Sequence, residues 1–226
     1  MTLPLAYLTS DDAFDALFPP ALRRVSGRFW TPLAIARRAA ELLATGGATR
    51  VMDVGSGVGK FALVAAATVP TIRVVGVEQR GRLVEVARRA QDRLCLENVS
   101  FVHGNASELP WKGYDGFYFY NSFAENLFDR MDRLDDEAEL SITRFGRDVH
   151  RSYMNLRAAP VGTAVVTFHG SSGRVPATYA LRHVEPAGSG FLRLWKKGAG
   201  KDDGAYFVEV GGGVEAHPGH VARRGA

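Results

Sequence analysis

The sequence predicts an α/β fold in which a mostly parallel sheet lies between two layers of helices and closes with a late antiparallel hairpin. Strand-like and helix-like segments alternate between residues 50 and 168, a pattern typical of a parallel sheet built from successive βα units. After residue 168 three more strand-like segments follow without a helix-like segment between them, which indicates antiparallel additions. The expected arrangement is therefore three layers, αβα.

The length and composition agree with one such domain. The chain has 226 residues, 46% of them hydrophobic, which is enough to bury a full core. No apolar run approaches the roughly 20 residues of a membrane span, and the N-terminal residues, with Asp11 and Asp12, do not resemble a secretory signal. A single cysteine, Cys95, favours a reducing, cytoplasmic environment, and its two leucine neighbours indicate that it packs in the core. The net charge of +4 permits an acidic partner without requiring one.

Each predicted element has a local signal. A short helix over residues 11–18 is stopped by Pro19, and a second helix begins at Thr31, whose hydroxyl caps it, with Pro32 in the first turn. An acidic run near residue 136 predicts the first turn of a long helix that ends at residue 158. The predicted strands are 50–54, 74–77, 99–103, 116–120, 163–168, 179–184, 191–195 and 206–210, and the helices between the early strands are 58–68 and 83–94.

The chain divides into three predicted parts. Residues 1–30 form an N-terminal helical segment that acts as a lid, and residues 31–210 form the main domain. Residues 211–226 are rich in glycine and are expected to be a flexible tail. The tail contains His217 and His220, which we expect to be solvated, and no metal site is predicted.

A glycine-rich turn follows the first predicted strand, and an acid ends the second. The turn reads Gly55, Ser56, Gly57, Val58 and Gly59. Asp53 lies within the strand before this turn, and Glu78 ends the next strand. Glycines let the backbone approach a ligand closely, and an acid at the tip of the second strand accepts hydrogen bonds from a ribose diol. This unit predicts an adenosine pocket at the carboxyl edge of the sheet.

The spacing of the glycines narrows the choice of ligand. A dinucleotide-binding turn has glycine at the position that Lys60 occupies here. The form with Asp53 and glycines at 55, 57 and 59 resembles the first motif of the class I S-adenosylmethionine (SAM) methyltransferases. This resemblance implies the Rossmann-like methyltransferase sheet, SAM as the cofactor and S-adenosylhomocysteine as its product. It also implies that Asp53 holds the glycine turn or the methionine amino group and that Glu78 binds both ribose hydroxyls.

Two later strand ends extend the resemblance. Asn105 and Ala106 follow the third strand, where this family usually has an acid that accepts from the adenine amino group and a backbone N–H that serves a ring nitrogen. An asparagine carbonyl can accept the same hydrogen bond, and the alternative is a plain Gly-Asn turn. After the fourth strand, Asn121 would orient the acceptor or the methionine end of SAM, and Phe123 would wall the methyl site. The alternative there is a polar turn with one core aromatic residue.

Longer stretches resemble one branch of the family more closely. The glycine turn, Gly-Val-Glu at 76–78 and Asn-Ser-Phe-Ala at 121–124 resemble the non-SET lysine methyltransferases that modify the nucleosome core, which read Asn-Asn-Phe-Ala at the last place. The chain is also similar to small bacterial methyltransferase-domain proteins. The resemblance covers residues 50–127 and concerns the cofactor more than the acceptor. The segment with Thr31 is similar in position to a loop that closes over the methionine end of SAM, or else it is a simple helix cap.

The function that the resemblance implies is in-line transfer of a methyl group from SAM to an acceptor, with an amine or a protein side chain favoured. Glu125 or His169 could accept the proton that an amine must lose. Two other classes stay open, a SAM-binding module without activity and a nucleotide-dependent oxidoreductase. Nucleic acid is not indicated as the acceptor, because residues 121–124 differ from the Asn-Pro-Pro-aromatic tetrad of nucleic-acid N-methyltransferases. No membrane partner is expected, and the sequence does not determine an oligomeric state.

Overall fold

The computed structural model of the chain describes residues 5–170, 173–210 and 213–217. The α-helices are α1 (Asp11–Asp15), α2 (Pro20–Arg23), α3 (Ser26–Phe29), α4 (Leu33–Thr45), α5 (Lys60–Thr68), α6 (Gly81–Leu94) and α7 (Ile142–Ala158). Short 3-10 helices cover Leu5–Leu8, Ala106–Glu108, Ala124–Leu127 and Arg130–Asp132. The strands are β1 (Arg50–Val54), β2 (Arg73–Glu78), β3 (Val99–His103), β4 (Gly116–Tyr120), β5 (Ala164–Phe168), β6 (Arg174–Pro176), β7 (Tyr179–Ala187), β8 (Gly190–Lys197), β9 (Tyr206–Val210) and β10 (Gly213–His217).

Seven strands form the main sheet, in the order β3-β2-β1-β4-β5-β8-β7. The first five pair in parallel, and β8 and β7 run antiparallel to their neighbours. The predicted α/β fold, with a parallel core and a late antiparallel hairpin, is confirmed.

The core lies on both faces of this sheet, because successive residues of a strand point to opposite sides. On one face, Val51 and Tyr118 belong to a cluster that includes residues of α4, α5 and α6. On the other face, Met52 and Phe117 belong to a cluster with Leu156 of α7. Each face of the sheet is therefore covered by helices, which gives the three predicted layers.

The strand order places a ligand crevice at the middle of the sheet. From β1 the chain builds outward to β2 and β3 on one side, then returns to add β4 and β5 on the other. The carboxyl ends of these five parallel strands lie at one edge. In open α/β sheets a crevice forms at the point where the direction of strand addition reverses, here between β1 and β4.

The strands β6, β9 and β10 form a second, antiparallel sheet. Residues 206–210, which we predict as an antiparallel addition, pair here with β6 and β10. The strand β10 lies within the predicted flexible tail, where His217 stacks on Tyr206 with ring centroids 5.1 Å apart. His220 lies outside the described residues.

The N-terminal segment packs onto the main domain. The side chains of Phe14 and Phe18 are buried in the core, with 0% and 1% of their surface exposed. Lys60, in the first turn of α5, is also buried, and its Nζ lies 2.8 Å from Asp15 and 2.5 Å from Asp11. Because α5 follows the glycine turn, these ion pairs fix the N-terminal segment beside that turn.

The start of α4 corrects the predicted cap. The helix begins at Leu33, and the Leu33 N–H donates to Oδ1 of Asp11 at 2.8 Å. Thr31 lies outside the helix, and its hydroxyl is hydrogen-bonded to the hydroxyl of Tyr118 at 3.0 Å. The prediction that Thr31 caps this helix is therefore wrong, because a carboxylate twenty residues earlier in the chain supplies the acceptor.

Two further local predictions are wrong. The long helix α7 starts at Ile142, not near residue 136, because Ser141 is its cap and accepts from the Arg144 N–H at 3.2 Å. The acidic run before it lies in a loop. Cys95 is exposed because it ends α6 with a left-handed backbone, φ 52°, which turns the chain away from the core.

Candidate active site

The glycine-rich turn has a backbone that favours glycine at three positions. Gly55, Gly57 and Gly59 have φ angles of 76°, 55° and 78°, in the left-handed region. A Cβ on Gly57 would lie 2.4 Å from Cζ3 of Trp30, so the indole sits directly against the turn. The turn is pinned to the neighbouring strand, because the N–H groups of Gly55 and Ser56 both donate to the Val77 carbonyl.

Gly59 differs from the other two in its surroundings. A Cβ on Gly59 would lie 2.5 Å from Cε1 of Phe101 in β3, so this glycine lets the start of α5 approach β3 closely. It does not line either of the two cavities described below. The prediction that Gly59 contacts the cofactor therefore finds no support in its position, and its role is in packing.

Glu78 is buried at the end of β2, with 5% of its surface exposed. Its Oε2 accepts from the Gly57 N–H at 3.0 Å, and its Oε1 accepts from the Arg80 N–H at 2.9 Å. Burial raises the pKa of Glu78, and the two N–H donors and the nearby Arg80 charge partly offset this rise. A carboxylate has about four acceptor positions, so two remain for further donors.

The main cavity lies along the carboxyl edge of the sheet and, with the solvent at its open mouth, spans about 890 Å³. The ends of β1, β2, β3 and β4 all contribute to its wall. Seven of the predicted site residues line it together: Gly55, Gly57, Glu78, Asn105, Ala106, Asn121 and Phe123. The structure therefore brings together residues that span nearly seventy positions of the sequence.

A second, smaller cavity of about 300 Å³ lies behind the glycine turn and shares Phe29, Trp30, Gly55 and Tyr120 with the main one. It is lined by three other predicted site residues: Thr31, Asp53 and Ser56. Within the described residues, Oδ2 of Asp53 and Oγ of Ser56 are buried without a hydrogen-bond partner. Two unpartnered buried acceptors beside a glycine turn fit a ligand that carries hydrogen-bond donors.

The environment of Asp53 changes its protonation. Burial, followed by repulsion from the Glu78 carboxylate, raises the pKa of Asp53 from 3.8 to about 8. A bound ammonium group would add an opposite charge beside Asp53 and would favour its carboxylate form.

The segment after β4 adopts an unusual backbone at the rim of the main cavity. Asn121 has φ 46° and Phe123 has φ 72°, values that residues other than glycine rarely adopt. Between them, the Ser122 hydroxyl is buried and donates to the Val54 carbonyl at 2.6 Å, which ties the segment to the end of β1. Asn121 is exposed at the rim, and Phe123 is half-buried.

A family model described as a methyltransferase domain matches residues 46–131. This range contains the glycine turn, Glu78, Asn105 and the segment from Asn121 to Phe123. Residues 46–131 are therefore similar to a methyltransferase domain.

Two curated relatives and one solved structure show how far this likeness extends. The tRNA (guanine-N(7)-)-methyltransferase of Microcystis aeruginosa is 41% identical over 59 residues, 26% of this chain and 28% of the relative. The release factor glutamine methyltransferase of Vibrio cholerae is 31% identical over 105 residues, 45% of this chain and 35% of the relative. The chain thus spans only about a third of the length of these relatives.

The solved structure is that of an RNA methyltransferase from Salinibacter ruber in complex with S-adenosyl-L-homocysteine. It aligns with a TM-score of 0.55 and 19% identity, over 76% of this chain and 96% of that chain. At this level of identity the likeness shows the fold alone.

Asn105 does not have the free acceptor oxygen that we predict. Its Oδ1 accepts from the Ser107 N–H at 3.0 Å and caps the 3-10 helix that follows, and its Nδ2 donates to Oδ1 of Asp148 at 3.1 Å. Asn105 therefore lies at the predicted place, but the oxygen and the nitrogen of its amide are both hydrogen-bonded within the protein.

The two candidate proton acceptors, Glu125 and His169, lie in different surroundings. Oε1 of Glu125 accepts from Nη2 of Arg80 at 2.9 Å and from the Leu134 N–H at 2.7 Å. His169 is exposed, lies 3.1 Å from the Ser189 hydroxyl and lines neither cavity. Burial of part of its ring lowers the pKa of His169. Of the two, only Glu125 lies at the main cavity.

Several residues of the site were not predicted from the sequence. Arg80 is buried, lines the main cavity and joins Glu125 to Asp135, at 2.9 Å and 2.8 Å. Its signal was available, since an arginine two residues after the motif acid and an acidic run near residue 136 carry opposite charges. Asp148, on α7, also lines this cavity, and no local pattern marks it.

Among the described residues, no group of three or more metal-binding side chains is found. Within the same ranges, no helix combines the length and apolar character that crossing a membrane requires.

Proposed function

We propose that this protein transfers a methyl group from SAM to a nitrogen acceptor, an amine or a protein side chain. The observation that carries the proposal is the shared cavity, in which a glycine turn, a buried acid at the tip of β2 and the segment from Asn121 to Phe123 meet. The first two would hold the cofactor, and the third would face its reactive end.

The residues present fit SAM along the length of the crevice. Glu78 keeps two acceptor positions for the ribose hydroxyls, and Gly55, where an added Cβ would meet nothing closer than 3.9 Å, leaves the backbone open to a ligand. The smaller cavity would take the methionine end, where Asp53 offers an unpartnered carboxylate oxygen to its ammonium group. Trp30, which lines both cavities, would cover this end.

Methyl transfer from SAM requires the protein to align the acceptor with the methyl group more than to activate either of them. SAM supplies a methyl group on a sulfonium, an already activated leaving group. The protein then has to hold the acceptor in line and keep water out. Asn121, at the rim, would orient the acceptor through its amide, and Phe123 and Tyr120 would wall the reaction site. Glu125 lines this cavity and would accept the proton of an amine at Oε2, because Arg80 and the Leu134 N–H both donate to its Oε1.

A macromolecule is the favoured acceptor. The two curated relatives are named for a tRNA and for a release factor, both of which are large. The main cavity opens at the rim formed by Asn121 and Phe123, where a side chain or base presented from outside could reach it. Our preference for a protein side chain over nucleic acid rests on the Asn-Ser-Phe-Ala sequence after β4.

Calorimetric titration tests the cofactor assignment. We expect S-adenosylhomocysteine and SAM to bind in a one-to-one ratio and NADH to give no binding heat. Tight NADH binding without SAM binding would overturn the proposal. The acceptor is then sought by incubating the protein with SAM labelled at the methyl group and with protein, RNA and small-amine fractions, where label in none of these fractions would contradict the activity.

A further inference from the structure

A buried carboxylate stands behind Asn105 at the wall of the main cavity. Asp148, on α7, has 2% of its surface exposed and lines this cavity. Its Oδ1 accepts from Nδ2 of Asn105 at 3.1 Å and from the Ser107 hydroxyl at 2.8 Å. These two hydrogen bonds fix the orientation of the carboxylate.

The second oxygen of Asp148 is differently placed. Within the described residues Oδ2 receives no hydrogen bond, and its nearest cationic atom is Nε of Arg144, at 3.6 Å. The Nε of Arg147 lies 3.8 Å from Oδ1. Both distances exceed the range of an N–H···O hydrogen bond. One oxygen of a buried, oriented carboxylate therefore keeps its acceptor capacity at a ligand cavity.

The position of this oxygen along the crevice identifies what it would meet. The strands β1, β2 and β3 are neighbours, so the glycine turn, Glu78 and Asn105 lie in a row at the carboxyl edge. If Glu78 holds the ribose, the adenine ring extends toward the end of β3, where Asn105, Ala106 and Asp148 line the wall. The amide oxygen of Asn105 is already occupied by the Ser107 N–H.

We propose that Asp148 recognises the adenine of SAM by accepting a hydrogen bond from its exocyclic amino group. The inference rests on the proposed function and deepens it, since it assigns the base specificity of the same site. The acid that selects adenine thus comes from α7 and not from the loop after β3. Asn105 and Ser107 act as positioning residues for it.

The test compares S-adenosylhomocysteine with the analogue that carries unsubstituted purine in place of adenine, which lacks the exocyclic amino group and keeps the ring nitrogens unchanged. A carboxylate accepts a hydrogen bond from the amino group and finds no such donor on the purine analogue. We therefore expect the wild-type protein to bind the adenine compound at least about tenfold more tightly, the factor that one charge-assisted hydrogen bond supplies.

The decisive variant is Asp148→Asn, which keeps the shape of the side chain. Its amide oxygen can still accept from Asn105 and Ser107, and its NH₂ group would replace Oδ2 at the cavity as a donor. We expect the preference for the adenine compound to fall to about twofold or less, or to reverse. The matched control is Ser107→Ala, which removes one of the hydrogen bonds to Oδ1 and keeps the acid. It should retain the preference even where overall affinity drops.

The outcomes separate this inference from the proposed function. If the wild-type protein binds neither compound, the proposed function fails and this inference fails with it. If the wild-type protein binds S-adenosylhomocysteine and Asp148→Asn keeps the full preference, only the role of Asp148 is overturned. Should that variant not fold, a crystal structure of the wild-type complex decides. Oδ2 within about 3.2 Å of the adenine amino nitrogen supports the role, and a separation beyond about 3.5 Å refutes it.

Discussion

At the scale of single residues, the side chains that would hold the ligand also hold the cavity wall. Glu78 accepts a hydrogen bond from the N–H of Gly57 and so supports the glycine turn, which would bind the cofactor together with it. Ser122 ties the segment after β4 to the end of β1. Substitutions at this edge of the sheet therefore act on ligand affinity and on local structure together, and the predictions below separate the two.

Replacing Glu78 with alanine should lower SAM affinity at least about tenfold. The variant loses a charged acceptor for two ribose hydroxyls, and each such hydrogen bond contributes about 1.5–3 kcal/mol. It also leaves the N–H groups of Gly57 and Arg80 without their acceptor, so the free energy of unfolding should fall by about 1–3 kcal/mol. Calorimetry and urea unfolding measure the two effects, and an unchanged dissociation constant would place the ribose elsewhere.

Replacing Asn121 with alanine should separate binding from turnover. Asn121 is exposed at the rim and is not bonded to the glycine turn, so SAM affinity should stay within a few-fold. Turnover should fall by at least about tenfold, because an interaction that aligns the acceptor contributes mainly in the transition state. Steady-state kinetics with an identified acceptor, combined with calorimetry, distinguishes this from loss of cofactor. A fully active alanine variant would exclude the role.

The raised pKa of Asp53 predicts a pH dependence of stability. Because the pKa rises from 3.8 to about 8 on folding, the folded chain retains a proton between these values that the unfolded chain has lost. The contribution of this residue to the free energy of unfolding is therefore largest at low pH, decreases as pH rises through this window and levels off above about pH 8.

The variant Asp53→Asn removes this titration. We expect its free energy of unfolding, relative to that of the wild-type protein, to increase from pH 4 to pH 8 and then to stay constant. Urea unfolding at a series of pH values measures the difference. Asp12→Asn, a change at an exposed aspartate, is the control for the loss of one carboxylate from the chain. Parallel curves for the Asp53 variant and the wild-type protein would show that Asp53 is ionised in the folded state.

The sequence was a good guide to residues that a short motif marks and a poor one to residues brought in from elsewhere. Glu78, Gly57 and Asn121 lie at the cavity because strand ends place them there, and strand ends can be predicted from the sequence. Asp148 lies beside Asn105 only because α7 packs against the loop after β3. That packing depends on tertiary structure, which no local pattern contains.

At the scale of elements, the N-terminal helices are anchored to the helix that follows the glycine turn. The anchor is Lys60, which occupies the place of the third glycine of a dinucleotide-binding turn. From the sequence, that lysine served only as an argument against a dinucleotide. The structure gives it a second role, because its buried ammonium pairs with Asp15 and Asp11. The presence of a helix was easier to predict than the residue at which it starts. The start of α4 is bonded to a distant carboxylate, that of Asp11, and the start of α7 is set by the cap Ser141.

Replacing Lys60 with methionine should loosen the N-terminal segment. The change leaves Asp15 buried without its cation, which costs on the order of 3–5 kcal/mol when one partner of a buried pair is removed. Relative to the wild-type protein, the variant should show a larger increase in hydrogen exchange in residues 11–30 than in β1 and β4. Asp11→Ala should have a smaller effect on stability, because Asp11 is about half-exposed. Equal exchange in all parts of the variant would indicate global destabilisation and contradict a local anchor.

At the scale of the whole molecule, a buried ion pair joins the two sheets. Arg193 of β8 donates from Nη1 to Oε2 of Glu209 in β9 at 2.8 Å, and both side chains are nearly inaccessible. Trp195 of β8 stacks on Phe207 of β9 with ring centroids 5.5 Å apart. The second sheet is therefore attached to the main one through charged and aromatic contacts that the strand patterns alone did not indicate.

Replacing Glu209 with alanine should destabilise the protein by about 3–5 kcal/mol, because the Arg193 charge remains buried without a partner. Thermal unfolding measures the loss. The double variant Arg193→Met with Glu209→Ala should recover part of it, since the uncompensated charge is gone. If the single variant is as stable as the wild-type protein, the second sheet is not held by this pair.

The backbone of Asn121 has a consequence for protein engineering. Its φ of 46° strains any residue with a Cβ, at a cost of up to about 1–2 kcal/mol, although asparagine tolerates this region better than most. Glycine at this position would relieve the strain and raise the melting temperature, while it would remove the amide that our proposal needs for turnover. A selection that rewards thermostability alone would therefore enrich glycine at position 121, and the survivors would be robust proteins that no longer turn over.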